Sequence, residues 1–307
     1  MNKGKKIVLL IGILACAVLI WHLFVKSYDY QIRFSTRTAP GTVFYHVNNW
    51  TKTREKEGQI EILNVDKDPF VRIRQNLKIG DSLIHLDWDI RSANDSTTDI
   101  MVRVKDMEHS VATRIKNFYT DPPLKELFLS KISNFNTSLG AHLKEHKIKI
   151  VGESDIPEGF YAYLNIKSSL PEKAYTMIAG NAEIAGWLND NDIKILSEPI
   201  LEVTSWDIPK DEIQFNFMFP ITETDSLPDH KKIKFKKYGG GKGIKAVFNG
   251  NYMISDRAWF ALYEYAKQNN IDIDETPVEF FFNNPMSGGN ELEWKAEIYL
   301  PIKDSND

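Results

Sequence analysis

Glu297 stands in a run of aromatic and aliphatic residues, Trp294-Lys295-Ala296-Glu297-Ile298-Tyr299-Leu300-Pro301-Ile302. A carboxylate among aromatic side chains can trap a lipophilic cation through charge and cation–π attraction. Burial would also raise its pKa and suit it to general acid or base chemistry. The run closes one of two imperfect copies of a segment. Residues 217–221 read F-M-F-P-I and residues 298–302 read I-Y-L-P-I, with Pro220 and Pro301 81 positions apart. Where the second copy has Glu297, the first has Asn216. A strand places Glu293, Lys295, Glu297 and Tyr299 on one face and Trp294, Ala296, Ile298 and Leu300 on the other. On the preceding strand Glu279 and Phe281 share a face in the same way, and in the first copy Gln214, Asn216 and Met218 correspond. On periodicity alone Glu297 is an ordinary exposed strand residue.

Other motifs carry less. His142-Leu143-Lys144-Glu145-His146 fits H-x-x-E-H, a zinc-protease pattern with two histidines at i and i+4. These residues flank the apolar stripe at a helix end with no third ligand in view, so a solvated helix end is expected and no metal. Gly239-Gly240-Gly241-Lys242-Gly243 lacks the spacing and the Ser or Thr of a phosphate loop, and reads as a flexible approach to a strand. No Ser-His-Asp set can be drawn from spacing, and no cofactor is expected. Asn49, Asn94 and Asn136 head glycosylation sequons that matter only in a glycosylating host.

The elements that must position these residues follow from patterning. Lys3, Lys5 and Lys6 precede an apolar run from Ile7 to Val25, closed by Lys26, about the ~20 residues that span a bilayer. A cleaved signal peptide would have a shorter apolar region and small residues at the cleavage site. Trp21, His22, Leu23 and Phe24 occupy that place instead. Ile13-Leu14-Ala15-Cys16 resembles a lipoprotein box, but the run continues past Cys16, so an uncleaved anchor through residues 7–25 is expected. The preceding lysines point to a cytoplasmic N-terminus and a periplasmic body at a bacterial inner membrane, although Lys26, Arg33 and Arg37 pull the other way. Cys16 is the one cysteine, which leaves the body without disulfide or thiol chemistry. Four of the 38 basic residues lie in the first 26 positions, which hold no acid. The body is therefore acidic and unsuited to nucleic acid.

After the anchor, Tyr28–Thr38 reads as a strand, and Pro40 opens a helix bearing Val43, Phe44, Val47 and Trp50. A charged stretch (52–57) follows. Period-two alternation then runs through Val71 and Ile73, through Ile84, Leu86, Trp88 and Ile90, and through Ile100, Val102 and Val104, with a turn at Asn94-Asp95-Ser96. Pro122-Pro123 start a long helix with the stripe Leu124, Leu127, Phe128, Ile132, Phe135, Leu139 and Leu143. This order, over 28–147, resembles the START-like (SRPBCC) helix-grip fold. The resemblance implies a space between sheet and last helix that holds either a hydrophobic ligand or side chains.

Beyond Ile148 each copy reads strand, helix, strand, strand. The first is 161–166, 171–188, 199–205 and 212–219, and the second is 245–251, 255–268 with Ser255 as N-cap, 278–282 and 291–300, joined by an acidic linker at 222–232. Gly250-Asn251-Tyr252, Ala258-Trp259, Leu262-Tyr263, Val278–Pro285 and Ala296–Ile302 resemble the GyrI-like effector-binding domain of bacterial transcription activators, over 148–303. Asn284 departs from the family's usual Asp. No helix-turn-helix accompanies the domain, so transcriptional activity does not carry over. The resemblance implies a cleft in which the closing-strand Glu, here Glu297, contacts ligands, often lipophilic cations. Tyr299 and Phe281, placed by the strand faces, join it as ligand contacts, and the resemblance adds Trp259, Tyr263 and Tyr252, although Trp259 and Tyr263 at i and i+4 also suit core packing.

The expected fold class is therefore α+β: cytoplasmic lysines and a transmembrane helix (1–26), a START-like antiparallel-sheet domain (27–147) and a pseudo-twofold GyrI-like domain (148–307). The expected function is membrane-anchored binding of a small hydrophobic or cationic amphipathic molecule. The alternatives are a GyrI-like hydrolase of small electrophiles using Glu297, and an envelope scaffold without ligand.

Overall fold

The computed structural model describes residues 3–94, 96–120, 123–224 and 226–303. Asp95 of the expected turn and Pro122 of the expected helix start lie outside them, as does the Leu124 side chain. Lys3–Ile20 form α1, which continues as a π-helical turn, Trp21–Val25. This helix is long and apolar enough to cross a membrane, and none of its side chains is buried.

The first compact unit holds most of residues 3–139. It runs β1 (Tyr30–Thr36), α2 (Pro40–Lys56), β2 (Glu61–Asp68), β3 (Arg72–Ile79), β4 (Ser82–Asn94), β5 (Thr97–Asp106), α3 (Ser110–Lys116) and α4 (Pro123–His142). The five strands form one sheet in the order β1-β5-β4-β3-β2. The helix opened by Pro40 absorbs the charged stretch expected after it, and β2 and α3 are additions to the expected element order. Ile73, Ile84, Leu86, Trp88, Ile100, Val102 and Val104 are fully or nearly fully buried, as period-two alternation requires. Leu127 on α4 is exposed, whereas Phe128, Ile132, Phe135 and Leu139 are buried. Trp50, Trp88 and Phe135 meet at ring-centroid distances of 5.0–6.3 Å, so side chains fill the centre of this unit. Asp87 and Asp89 are buried beneath Arg72 and Arg103, with Arg72 Nε 2.7 Å from Asp87 Oδ1. Arg114, fixed by Asp29 at 2.8 Å, donates to the carbonyls of Leu23 (2.9 Å) and His22 (3.2 Å), groups left without partners where the N-terminal helix ends.

The second unit contains β6 (His146–Ile156), β7 (Gly159–Ser169), α5 (Lys173–Asp190), β8 (Ile200–Asp207), β9 (Glu212–Pro220), β10 (Lys234–Tyr238), β11 (Gly241–Gly250), α6 (Asp256–Asn269), β12 (Val278–Phe281) and β13 (Lys295–Pro301). The eight strands form one sheet in the order β10-β7-β9-β8-β12-β13-β11-β6. This order is a palindrome about the β8–β12 contact. It maps β7, α5, β8 and β9 onto β11, α6, β12 and β13, the two copies read in the sequence. β6 and β10 are additions to the two copies expected from the sequence. The closing strand starts at Lys295, not near Glu291, because Asn290 initiates a 3₁₀ turn through Glu293.

α5 packs on β7 and β9, and α6 on β11, β13 and β6. Gly180 of α5 brings the helix against Ile166 and Phe217, where an added Cβ would lie 3.0 Å from Ile166 Cδ1. Within this helix-covered layer, Lys173, Glu279 and Ser255 are completely buried together. Lys173 Nζ lies 3.0 Å from Glu279 Oε1 and 2.6 Å from Ser255 Oγ, and Ser255 Oγ donates to Glu279 Oε2 at 2.7 Å. Ser255 precedes α6 as expected, but its hydroxyl makes no capping bond and serves this network instead. Lys173 belongs to the first copy, and Glu279 and Ser255 to the second.

Removing one member of a buried ion pair leaves an uncompensated charge, which costs about 3–5 kcal/mol. Lys173→Met is therefore expected to lower unfolding free energy by about that amount, and Lys173→Met with Glu279→Leu to recover much of it. Denaturant unfolding of both variants checks this. Equal destabilisation by the single and double changes would contradict it.

Candidate functional site

Strand register decides which side chains share a face. Glu297 pairs with Phe280 on β12 and Val247 on β11, and Tyr299 with Val278 and Lys245. Further across, Phe280 pairs with Ile200, Ile200 with Met218, and Met218 with Tyr163. Val278 pairs likewise with Glu202, Glu202 with Asn216, and Asn216 with Asn165. Directly paired residues of an antiparallel sheet lie on the same side. All of these side chains therefore occupy the face opposite α5 and α6. Its centre is an apolar cluster of Tyr161, Ile200, Met218 and Val278, against which Tyr163, Tyr238 and Phe280 pack.

Two carboxylates flank this cluster. Glu297 is mostly buried and accepts from Lys245 (2.8 Å), Lys295 (2.7 Å) and the Tyr299 hydroxyl (3.1 Å). Lys245 Nζ also lies over the Tyr299 ring, 5.2 Å from its centroid, and the Phe280 ring meets Tyr299 edge-on at 5.5 Å. Burial pushes the Glu297 carboxyl upward, but its hydrogen bonds and charge interactions with the two lysines outweigh this and hold it below the ordinary value. The expected rise toward general acid or base chemistry is reversed for that reason.

Glu202 is the second carboxylate, and the sequence reading missed it. It is paired with Lys236 and accepts from Asn216 Nδ2 at 2.7 Å. Lys236 Nζ lies 5.6 Å and 5.8 Å from the ring centroids of Tyr163 and Tyr238. Burial first, then the charge of Glu202, pushes the Tyr238 hydroxyl up to about 12. Under the pseudo-twofold, Asn216 matches Glu297 and Glu202 matches Phe280. The first copy thus carries its acid one strand over. The available signal was a lone charge within Ile200-Leu201-Glu202-Val203.

The remaining expected contacts do not join Glu297. Phe281 pairs with Ala296, so it shares the helix-covered face with Glu279. Phe280 takes the place expected of it, because a shift of one residue changes the face. Tyr252 packs at a tilt against Phe281, 4.7 Å between ring centroids, and donates its hydroxyl to the Lys295 carbonyl at 2.7 Å. Both border a cavity of about 430 Å³ between α5 and the end of β12. Trp259 is fully buried beside Trp206 (5.5 Å) and beneath Lys173 Nζ (4.7 Å). Tyr263 is half-buried on α6, its hydroxyl pushed up by burial and by Glu275. Of the six residues, the structure brings together Glu297 with Tyr299, and Phe281 with Tyr252, on opposite sides of the sheet.

Both ring nitrogens of His142 are engaged, Nδ1 with Glu145 at 2.9 Å and Nε2 with Arg257 at 3.0 Å. The glycine run turns β10 into β11, with Gly240 at φ 68° against the Ile156 carbonyl, where a side chain would not fit.

No curated protein matches the chain. Among solved structures it is similar to the C-terminal domain of EcmrR (12% identity, 52% of this chain and 98% of that one, TM-score 0.42). It is also similar to SAV2435 bound to tetraphenylphosphonium (12% identity, 52% and 94%, TM-score 0.34). A third likeness is to the di-domain ARO/CYC StfQ from the steffimycin biosynthetic pathway (12% identity, 90% and 85%, TM-score 0.28). Residues 155–303 match the family model described as "GyrI-like small molecule binding domain". The second unit of the chain therefore carries a GyrI-like domain.

Proposed function

We propose that this chain binds a small hydrophobic or cationic amphipathic molecule on the open face of the second sheet, with Glu297 as the polar contact. One observation carries the reading. Each of the two carboxylates flanking the apolar cluster already holds an ammonium group above an aromatic ring, Lys245 over Tyr299 and Lys236 over Tyr163 and Tyr238. The protein's own lysines thus occupy positions that suit the charged end of a ligand, beside the half-buried rings of Phe280 and Tyr163, which suit its body. The match of residues 155–303 to a small-molecule-binding family supports the same reading. Expected contacts on this face are Glu297 and Tyr299, joined by Phe280, Tyr163 and Glu202. Phe281, Tyr252, Trp259 and Tyr263 are not contacts of this face.

The N-terminal helix is the proposed anchor in a bacterial inner membrane, with the body periplasmic, and residues 27–147 are a START-like domain with a packed interior. The hydrolase alternative needs Glu297 as a base. A carboxylate held ionised by two lysines is a weak one, so binding without turnover is the better reading.

Tetraphenylphosphonium titrated into the full chain in lipid nanodiscs, with empty nanodiscs subtracted, tests the site. Glu297→Gln is expected to weaken binding about fivefold to tenfold, the scale of one charge or cation–π contact. Lys245→Met is expected to strengthen it by a similar factor, because the tethered competitor is gone. Unchanged affinity in Glu297→Gln together with weaker binding in Lys245→Met would sink the proposal. A C-terminal reporter active only outside the cytoplasm tests the orientation.

The pH profile gives a second check. Because the folded pKa of Glu297 lies below its ordinary 4.5, its stabilisation is fully present above that value and is lost as pH falls through the folded pKa. Cation binding is expected to hold at pH 4.5 and to fail only in stronger acid. The stability difference between the native chain and Glu297→Gln should shrink over the same acidic range.

A further inference from the structure

The cavity on the helix-covered side of the second unit differs chemically from the open face. Its walls are Met177, Phe217, Tyr252, Phe281 and Trp294, and its volume of about 430 Å³ lies in the range that encloses drug-sized molecules. Three of the rings form one continuous wall, with Tyr252 4.7 Å from Phe281 and 5.8 Å from Trp294. The tyrosine hydroxyl is tied to the Lys295 carbonyl, which fixes the ring and leaves its faces for contact. The mouth is apolar and adaptable. Ile178 is 60% exposed, Met253 42% and Met286 82%. Methionine side chains accommodate varied ligand shapes with little strain, and their sulfur favours aromatic rings.

Charge sets this site apart. Among the described residues of the lining, Glu198 is the one carboxylate, and neither lysine nor arginine accompanies it. Among the described residues its carboxylate has no ion pair, in contrast to Glu297 and Glu202. Its charge reaches the Tyr252 hydroxyl, whose pKa is raised to about 12 chiefly by burial and in part by Glu198. The side-chain oxygens of Asn283 and Asn284 are committed to the backbone N–H groups of Lys295 (2.8 Å) and Met286 (2.9 Å). Their amide nitrogens remain as donors at the rim.

We propose that this cavity is a second ligand site, distinct from the Glu297 face, for a flat aromatic monocation such as a protonated heteroaromatic amine. The ring wall takes the aromatic body, Glu198 the positive charge, and the two asparagine amides a hydrogen-bond acceptor on the ligand. Anions are repelled by Glu198. Polyhydroxylated molecules would leave most of their hydroxyl groups against apolar walls, which is unfavourable.

Acridine orange, a flat monocation at neutral pH, is the probe, added to the full chain in nanodiscs with methionine methyls isotopically labelled for NMR. Ring currents from a probe in the cavity shift the methyls of Met177, Met253 and Met286, whereas a probe on the open face shifts Met218. The expected result is saturable shifts at the three cavity methyls that need at least fivefold more probe in Glu198→Gln and vanish in Ala182→Trp, which closes the cavity from its exposed rim. Glu297→Gln should leave those three titrations unchanged. Shifts confined to Met218, or cavity shifts indifferent to both Glu198→Gln and Ala182→Trp, would overturn the proposal. Neither result depends on tetraphenylphosphonium binding at Glu297, so the two sites stand or fall separately.

Discussion

The ion pair between Lys173 and Glu279 is the constraint around which the second unit is organised. Both groups are withdrawn completely from water, at a desolvation cost that their attraction offsets only with good geometry and further hydrogen bonds. Ser255 supplies the hydrogen bonds, and the face of Trp259 supplies a further favourable surface for the ammonium group. The lysine enters from the helix of one copy, and the carboxylate and hydroxyl from the strand and helix start of the other. The pair therefore sets how the two copies meet. It also accounts for Trp259, an aromatic residue that family likeness placed near a ligand but that instead covers a buried cation.

Once that layer is fixed, alternation along each strand divides the sheet into two chemically distinct sides. The helix-covered side receives Phe217, Glu279, Phe281 and Ala296. The open side receives Met218, Phe280, Glu297 and Tyr299. Neighbouring residues of one short strand, Phe280 and Phe281, thus serve different surfaces. The pseudo-twofold copies the backbone but not the polar groups. Asn216 occupies the position of Glu297 and supports a carboxylate one strand away. The open face consequently carries two acid-and-aromatic stations with different surroundings.

Much of this was legible in the sequence. The two copies, their helices and their inner strands could be read from proline spacing and period-two patterning. Ile84, Trp88, Ile100 and Val104 are buried as their alternation requires. The strands that escaped notice, β2, β6 and β10, all lie at sheet edges. Edge strands carry more charge and less regular alternation, as in Lys234-Phe-Lys-Lys-Tyr238, so they read as linkers. The site was only half legible. Periodicity placed Glu297 with Tyr299 correctly, because both lie on one strand. Assigning Phe281 to the same face required the register between strands, which no local pattern contains. Of the two lysines that hold the Glu297 pKa down, Lys295 shares its strand face, but Lys245 was hidden, because it reaches Glu297 from β11, 52 positions earlier in the chain.

The position of Lys245 has a consequence for selectivity. Because it is tethered to the neighbouring strand, its ammonium group is present above Tyr299 at an effective concentration that dissolved ions do not reach. At the proposed site, alkali metal ions and simple amines would offer nothing beyond what the lysine already supplies. A guest would displace it only by adding oily surface to the rings of Phe280 and Tyr163, a gain that the lysine cannot match. On the proposed reading the side chain would act as a built-in gatekeeper that sorts visitors by greasiness while appearing to sort them by charge.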